Sequence, residues 1–279
     1  MSNTIDLRLS LRSFEDSLRK AEKCNATVKK YLRDTKSFLL YLDGRKITKE
    51  NTVVYKQYLQ ELGYRVSSVN SMLASVNAFL SFLDMPQCRV KFVRTQRKVF
   101  MPAEKELTRD EYMRLLQAST SNRKLNLVLQ TICGTGIRIS ELCYFTVEAV
   151  RAGEVNVHCK NKTRTVLVPG LLRKRLLKFA KDKKLSTGAI FITRGGKPLD
   201  RSNIWTQMKR LCVAANVDPR KVFPHNLRKL FARCFYGISK DIAKLADVLG
   251  HGSIETTRIY IMTTGREHRR QLEQLRLII

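Results

Sequence analysis

The stretch LGHGSIETTRIY, residues 249–260, combines a helix end, a sharp corner and a new helix within twelve residues. Gly250 is suited to end the first helix, and Ser253 can cap the second. The corner then holds His251, and Tyr260 lies two helical turns further on. A tyrosine in such a pattern is more often a core residue than a nucleophile, and a corner histidine is more often structural. The meaning of the stretch therefore depends on the motifs that precede it.

A second motif, FPHNLR at 223–228, opens another predicted helix. Pro224 suits the first helical position, where no amide hydrogen is needed. His225 and Arg228 then lie three residues apart on one face of the first turn. Because a helix N-terminus favours phosphate, this pair indicates an anion site. The alternative is a capping histidine beside a solvated arginine.

Two further motifs carry cations at turns. In GTGIRISEL, residues 134–142, the glycines permit a tight turn that directs Arg138 inward, where Glu141 could hold its guanidinium group. In CKNKTR, residues 159–164, three cations lie between two predicted strands, VNVHC and RTVLV. The alternatives are a surface arginine after a turn and a solvated hairpin tip.

Periodicity predicts a mainly α fold with a small antiparallel β-sheet, in two domains. Residues 1–86 predict a bundle of about four helices, in which Thr48 caps the third, Ser67 or Ser68 opens the fourth, and Pro86 marks the stop. Residues 87–106 form a basic linker, and residues 107–279 a second domain of mixed α and β pattern with a C-terminal helix. Within that domain we expect a capping box of Thr108 with Glu111, a third strand over AIFIT at 189–193, and helices at about 122–133, 171–183, 200–215, 224–236, 239–249, 253–262 and 265–277.

The charge of the chain points to a polyanionic partner. The 279 residues carry 53 Lys and Arg against 24 Asp and Glu, a formal net charge of +29. Because such an excess destabilises a compact chain by self-repulsion, it usually serves a polyanion, and nucleic acid is the first candidate. Residues 87–279 contain 39 of the basic and 15 of the acidic residues, so this part carries most of the positive field.

Other features argue against several classes of protein. No apolar run approaches the roughly 20 residues of a membrane span. The seven cysteines include no CxxC motif, which favours reduced thiols over a disulfide framework or a zinc site. The N-terminus lacks the apolar core of a signal peptide. We therefore expect the protein where DNA is, in a bacterial cytoplasm with the nucleoid or in a nucleus, with the bacterial location favoured.

Taken in order, these motifs resemble the active site of tyrosine site-specific recombinases, which include phage-type integrases, Xer-type resolvases and conjugative-transposon integrases. The resemblance covers the whole chain, as a helical core-binding domain followed by a tyrosine recombinase catalytic domain of the DNA breaking-rejoining fold. It implies six catalytic residues: Arg138, Lys160, His225, Arg228, His251 and Tyr260. Lys160 fits best as the hairpin lysine, 22 residues after Arg138, and Lys162 remains the alternative. Lys229 stands where many relatives carry histidine.

The resemblance also implies a mechanism. Arg138 and Arg228 would bind the non-bridging oxygens of the scissile phosphate, and His251 would add a hydrogen bond. Tyr260 would attack phosphorus with His225 as base, and the hairpin lysine would protonate the departing 5′ oxygen. The product would be a 3′-phosphotyrosine and a free 5′-hydroxyl, followed by strand exchange through a Holliday junction. No metal, ATP or other cofactor is expected, since the phosphotyrosine keeps the bond energy.

The implied partner is double-stranded DNA containing a recombination site. A homotetramer would hold two such sites by exchanging the C-terminal helix EHRRQLEQLRLII, residues 267–279, although docking of this helix on its own domain is the alternative. Accessory DNA-bending proteins are further expected partners, and an N-terminal arm-binding domain is expected to be absent. The reaction would be integration, excision or resolution of a mobile element or replicon. Two rival hypotheses are a type IB topoisomerase and a catalytically inactive DNA-binding relative.

Overall fold

The fold is taken from a computed structural model, which describes residues 7–94, 106–159, 162–193, 195–262 and 265–275. The chain divides into two compact units between residues 97 and 98. The described residues are mostly α-helical and include one two-stranded antiparallel sheet, which confirms the predicted fold class. Within those residues, no helix combines the length and the apolar character needed to cross a membrane.

The N-terminal unit is a four-helix bundle. Its helices are α1 (Leu7–Lys20), α2 (Asn25–Leu42), α3 (Lys49–Glu61) and α4 (Val66–Phe82). Thr48 caps α3 as expected, because its hydroxyl accepts a hydrogen bond from the amide of Asn51 at 3.2 Å. The predicted serine cap of α4 is wrong, since Arg65 occupies that position and makes no side-chain cap. The core contains an edge-to-face pair of Phe14 and Phe79, with ring centres 5.2 Å apart.

Two asparagines of α4 hold the extended segment that follows the bundle. Asn77 exchanges two hydrogen bonds with the backbone of Val90, at 2.9 and 3.0 Å. Asn70 does the same with Val93, at 2.9 and 2.8 Å. Residues 87–94, the first part of the predicted linker, therefore pack on the N-terminal unit, and residues 95–105 lie outside the described residues.

The C-terminal unit is built around a second hydrophobic core. Its elements are α5 (Arg109–Ala118), α6 (Arg123–Thr135), α7 (Val147–Ala152), β1 (Glu154–Cys159), β2 (Lys162–Leu167), α8 (Gly170–Asp182), α9 (Arg201–Ala215), α10 (Pro224–Ser239), α11 (Ile242–Leu249), α12 (Ile254–Ile261) and α13 (Gly265–Gln274). The capping box of Thr108 and Glu111 at the start of α5 is present as predicted. Helix α10 packs against α6 and α12, so the polar turns at their ends meet on one side of the unit.

The sheet is smaller than the sequence suggested. Strands β1 and β2 pair antiparallel from Glu154 opposite Leu167 to Cys159 opposite Lys162. The third strand expected over residues 189–193 is wrong: Ala189 and Ile192 form only isolated bridges, and Ile190 and Phe191 are buried in the core. Its apolar pattern reports burial rather than strand pairing.

Candidate active site

Five of the six predicted site residues converge at three chain turns. Arg138 follows the end of α6, His225 and Arg228 lie in the first turn of α10, and His251 and Tyr260 belong to the α11–α12 corner. Lys160, the sixth, lies outside the described residues. The side chain of Lys162, its alternative, is likewise not described.

The arginine turn depends on Gly136 and Glu141. Gly136 ends α6 with a φ of +67°, in the left-handed region that favours glycine. A Cβ at Gly136 would lie 2.4 Å from the ring of Phe231, so the close approach of α10 also requires glycine. Glu141 is 2% exposed and accepts hydrogen bonds from the Arg138 amide at 2.7 Å and from Arg138 Nη1 at 2.9 Å. The turn thus holds Arg138 through both its backbone and its guanidinium group.

A second arginine, Arg164 of β2, binds the same carboxylate. Its Nη1 and Nη2 donate to Oε1 and Oε2 of Glu141 at 2.9 and 2.7 Å, in bidentate geometry. Burial alone would raise the pKa of Glu141, but hydrogen bonds from Arg164 and Arg138 bring that pKa below its ordinary value. The solvated hairpin tip considered for Arg164 is therefore wrong, since its side chain is only 13% exposed.

Arg228 is a buried cation held by backbone oxygens. It is 1% exposed; Nη1 donates to the carbonyl of Gly136, and Nη2 donates to the carbonyl of Leu249 at 2.6 Å. Burial, followed by repulsion from Arg138, lowers the pKa of Arg228 to about 10, so the group remains charged at neutral pH. Its Nε–H is buried without a hydrogen-bond partner, which carries a cost in free energy.

His251 is wedged between Arg228 and Thr257. Its Nε2 lies 3.0 Å from Arg228 Nη2, and its Nδ1 lies 2.8 Å from the hydroxyl of Thr257. Burial, together with the cations Arg228, Arg138 and Arg164 and the nearby His225, lowers the pKa of His251 to about 4. The imidazole is therefore neutral at physiological pH.

Tyr260 projects from α12 into the space between the two histidines. Its side chain is 6% exposed, and its ring centre lies 5.0 Å from that of His225 and 4.8 Å from that of His251. The hydroxyl lies 3.4 Å from Nδ1 of His225. The pKa of His225 is lowered, first by loss of solvation and then by the cations Lys229, Arg228 and Arg138. A neutral imidazole beside a phenol is the arrangement that proton abstraction requires.

The site therefore presents a phenol, a neutral base and two arginines around one space. Cations fixed close to a reacting group stabilise an anion there and any further charge that develops on it. In the described part of the chain, no cluster of three or more histidine, cysteine or carboxylate groups could hold a metal ion.

Sequence reasoning identified the residues of the turns but missed two supporting groups. Side chains two residues apart on a strand point to the same face, so Arg164 shares a face of β2 with the buried Val166. An arginine on that buried face needs an acidic partner. That alternation was the signal that could have found it. Thr257 gave no signal, because its contact with His251 depends on the angle between α11 and α12.

Comparisons with known proteins agree with this architecture. Residues 105–266 match the model of the phage integrase family. The chain is 27% identical over 267 residues to tyrosine recombinase XerD of Halalkalibacterium halodurans, covering 86% of this chain and 88% of the relative. It is 26% identical over 278 residues to tyrosine recombinase XerA of Thermococcus kodakarensis, covering 96% and 95%.

Two solved structures have a similar fold. The crystal structure of XerA recombinase superimposes with a TM-score of 0.55 at 25% identity, over 98% of this chain and 100% of that one. A lambda integrase (75–356) dimer bound to a COC′ core site gives a TM-score of 0.73 at 18% identity, over 93% and 96%. The family match spans more than half of the chain. The chain therefore belongs to the phage integrase family of tyrosine site-specific recombinases.

Proposed function

We propose that this protein carries out site-specific DNA recombination through a covalent bond between Tyr260 and a DNA phosphate. The observation that carries the proposal is the position of Tyr260: its hydroxyl lies 3.4 Å from Nδ1 of His225, and the guanidinium carbon of Arg228 lies 5.8 Å from its ring centre. Membership of the phage integrase family and the relatives named tyrosine recombinase support it. Integration and excision, or resolution, of a mobile element or replicon is the class of reaction that we assign.

In the proposed step, the Tyr260 oxygen bonds to phosphorus while the bond from phosphorus to the 5′ oxygen breaks. His225 takes the phenolic proton, and Lys160 gives a proton to the departing 5′ oxygen. The products are a 3′-phosphotyrosine and a free 5′-hydroxyl. Attack by the 5′-hydroxyl of another strand reverses these events and joins new partners, so the energy of the broken bond is kept.

The arginines supply electrostatic stabilisation in this step. The Arg138 side chain is 36% exposed, so it can reach an incoming phosphate. Arg228 is buried beside Tyr260, where its charge acts on the reacting group without exposure to solvent. Fixed donors aimed at developing negative charge are usually the largest catalytic contribution, because they need no reorganisation during the reaction.

The role of His251 is more specific than the sequence suggested. In the described arrangement its Nε2 accepts from Arg228, so the ring first acts to hold that arginine. The predicted hydrogen bond from His251 to a phosphate oxygen requires the ring to release Arg228 and to place a proton on Nε2. This donation therefore remains a prediction.

We propose double-stranded DNA with a recombination site as the partner, bound by a homotetramer. A net charge of +29 supports a nucleic-acid partner. Among the proteins of similar fold are lambda integrase as a dimer on a core site and as a tetramer bound to a Holliday junction. Exchange of the C-terminal helix would join the protomers; α13 carries Leu272, which is 55% exposed, and the apolar residues 277–279 lie outside the described residues.

Three further assignments complete the proposal. Residues 1–86 form the core DNA-binding domain, residues 87–106 the linker and residues 107–279 the catalytic domain. Accessory DNA-bending proteins assist assembly. The protein acts in the bacterial cytoplasm, at the nucleoid. The two compact units support the domain assignment, and the net charge supports a location at DNA.

A nicked suicide substrate, made from the DNA that flanks the gene, tests the proposal. The nick lets a short fragment diffuse away after cleavage, so a covalent protein–DNA adduct accumulates. Wild-type protein should form the adduct, and on intact substrates it should give Holliday-junction products. A type IB topoisomerase would form the adduct without junctions, and an inactive DNA-binding relative would form neither.

A further inference from the structure

The Glu141 carboxylate is shared by two arginines, and one of them is much more exposed to solvent than the other. Arg164 uses both Nη atoms on Glu141, while Arg138 uses Nη1 and its backbone amide. These four hydrogen bonds satisfy a carboxylate that is 2% exposed. The Arg164 side chain is 13% exposed and that of Arg138 is 36% exposed. Arg164 is thus the buried partner, and Arg138 is the one that a phosphate can reach.

Arg164 also lies directly beneath the corner that presents His251. A Cβ built on Gly250 would come within 2.6 Å of Arg164 Cδ. Gly250 has a φ of +62°, so glycine is required there both for the backbone and for the approach of this arginine. One side chain therefore contacts the arginine turn and the α11–α12 corner.

Loss of Arg164 would change the charge balance at Glu141. A buried carboxylate without its bidentate partner is strongly destabilised, and the nearest remaining cation is Arg138. Arg138 would then be drawn into full pairing with Glu141 and away from the phosphate. With Arg164 in place, one Nη group of Arg138 is bound and the rest of its fork is available to an anion.

We infer that Arg164 is a positioning residue for DNA cleavage: it compensates the charge of Glu141, which leaves the Arg138 guanidinium directed at the scissile phosphate. The inference rests on the proposed function. Because its side chain is mostly buried, Arg164 itself does not contact DNA, and its effect on the reaction passes through Glu141 and Arg138.

The test uses the full chain with three single substitutions, Arg164→Gln, Arg164→Lys and Glu141→Gln. A fourth protein combines Arg164→Gln with Glu141→Gln. The readouts are the single-turnover rate of adduct formation on the suicide substrate and the DNA affinity of each variant. Arg164→Gln should slow adduct formation roughly 10- to 100-fold, as small displacements of a positioned group do. Its DNA affinity should change less than about threefold, since only the Arg138 contact among many phosphate contacts is affected. Arg164→Lys should recover part of the rate, because it restores the charge without the fork.

The combined variant separates positioning from a general structural role. If Arg164 acts through Glu141, the double variant should be within about threefold of the slower single variant, as coupled residues require. Arg233→Gln is the matched control, because Arg233 forms a similarly buried ion pair with Glu106 in the same unit, each side chain being 18% exposed. Arg233→Gln should lower the melting temperature about as much as Arg164→Gln does, without slowing adduct formation.

The outcomes distinguish this inference from the function on which it rests. If wild-type protein forms no adduct, the proposed function fails and the inference fails with it. If wild type is active, an unchanged rate in Arg164→Gln overturns the inference alone. Multiplicative losses in the double variant also overturn it. If Arg164→Gln fails to fold, an Arg164→Lys protein whose DNA affinity falls as much as its rate overturns it.

Discussion

Nη2 of Arg228 lies 3.0 Å from Nε2 of His251, and this contact fixes the proton on the histidine ring. A guanidinium group has only donors, so Nε2 must accept and the ring proton must lie on Nδ1. Nδ1 then donates to the hydroxyl of Thr257 at 2.8 Å. A neutral histidine thereby links the first turn of α10 to α12 and holds the buried arginine in place.

The first prediction concerns the pH dependence of this link. The pKa of His251 is lowered from 6.5 to about 4, so the unfolded chain binds a proton here at a higher pH than the folded chain does. Stability from this group is therefore complete above about pH 6.5 and is lost as the pH falls toward 4. An NMR titration of the His251 ring should show it neutral at pH 6. A midpoint at or above 6.5 would contradict the arrangement.

A second prediction concerns His225 as the base. Its pKa is lowered, so the neutral form that accepts a proton persists below pH 6.5. The rate of adduct formation at subsaturating DNA, which reports the free protein, should stay level down to that pH and decline only below it. His225→Ala should slow the step by roughly 100- to 10,000-fold, the usual contribution of a general base. A rate that this variant leaves intact would assign the base elsewhere.

The third prediction concerns the turn at Gly136. Gly136→Ala adds a Cβ 2.4 Å from the Phe231 ring and 3.0 Å from Leu249, at a φ of +67°. Gly188→Ala is the matched control, because Gly188 has a φ of +76° and open space around it. In urea unfolding, Gly136→Ala should cost about 1–3 kcal/mol more than Gly188→Ala, the usual cost of overpacking. Equal losses would show that α10 does not approach the turn this closely.

The fourth prediction separates Lys160 from Lys162. A 5′-bridging sulfur in place of the leaving oxygen needs no proton, because a thiolate is a far weaker base than an alkoxide. Lys160→Ala should therefore cleave ordinary DNA slowly, and its cleavage rate should recover on the sulfur substrate. Lys162→Ala should cleave both substrates at close to the wild-type rate. Rescue of Lys162→Ala instead would assign the general acid to that residue.

The features that sequence could predict were local ones. Pro224 and its following turn, the capping box of Thr108, and the glycine that ends α6 each act within a few residues, so pattern and propensity were enough. The net charge and the order of the motifs pointed to phosphate chemistry for a similar reason, because the residue types that carry this chemistry can be read directly from the sequence. Most predicted helix ends lie within a few residues of the observed ends.

The features that could not be predicted depend on contacts between distant parts of the chain. Arg164 and Glu141 are 23 residues apart, and their pairing depends on how β2 packs against the arginine turn. The burial of Arg228 against Gly136 and Leu249 likewise requires three elements to meet. The supposed third strand at residues 189–193 failed because an apolar run reports burial without specifying a hydrogen-bonding partner.

Identification of the atom that binds DNA is the most direct test of this account. Wild-type protein trapped on the suicide substrate should be digested and its DNA-linked peptide sequenced by mass spectrometry. We expect a 3′-phosphate on Tyr260, a free 5′-hydroxyl on the released fragment, and no adduct with Tyr260→Phe, which should still bind DNA. An adduct on another residue, a 5′-phosphate linkage, or an adduct that persists in Tyr260→Phe would contradict the account.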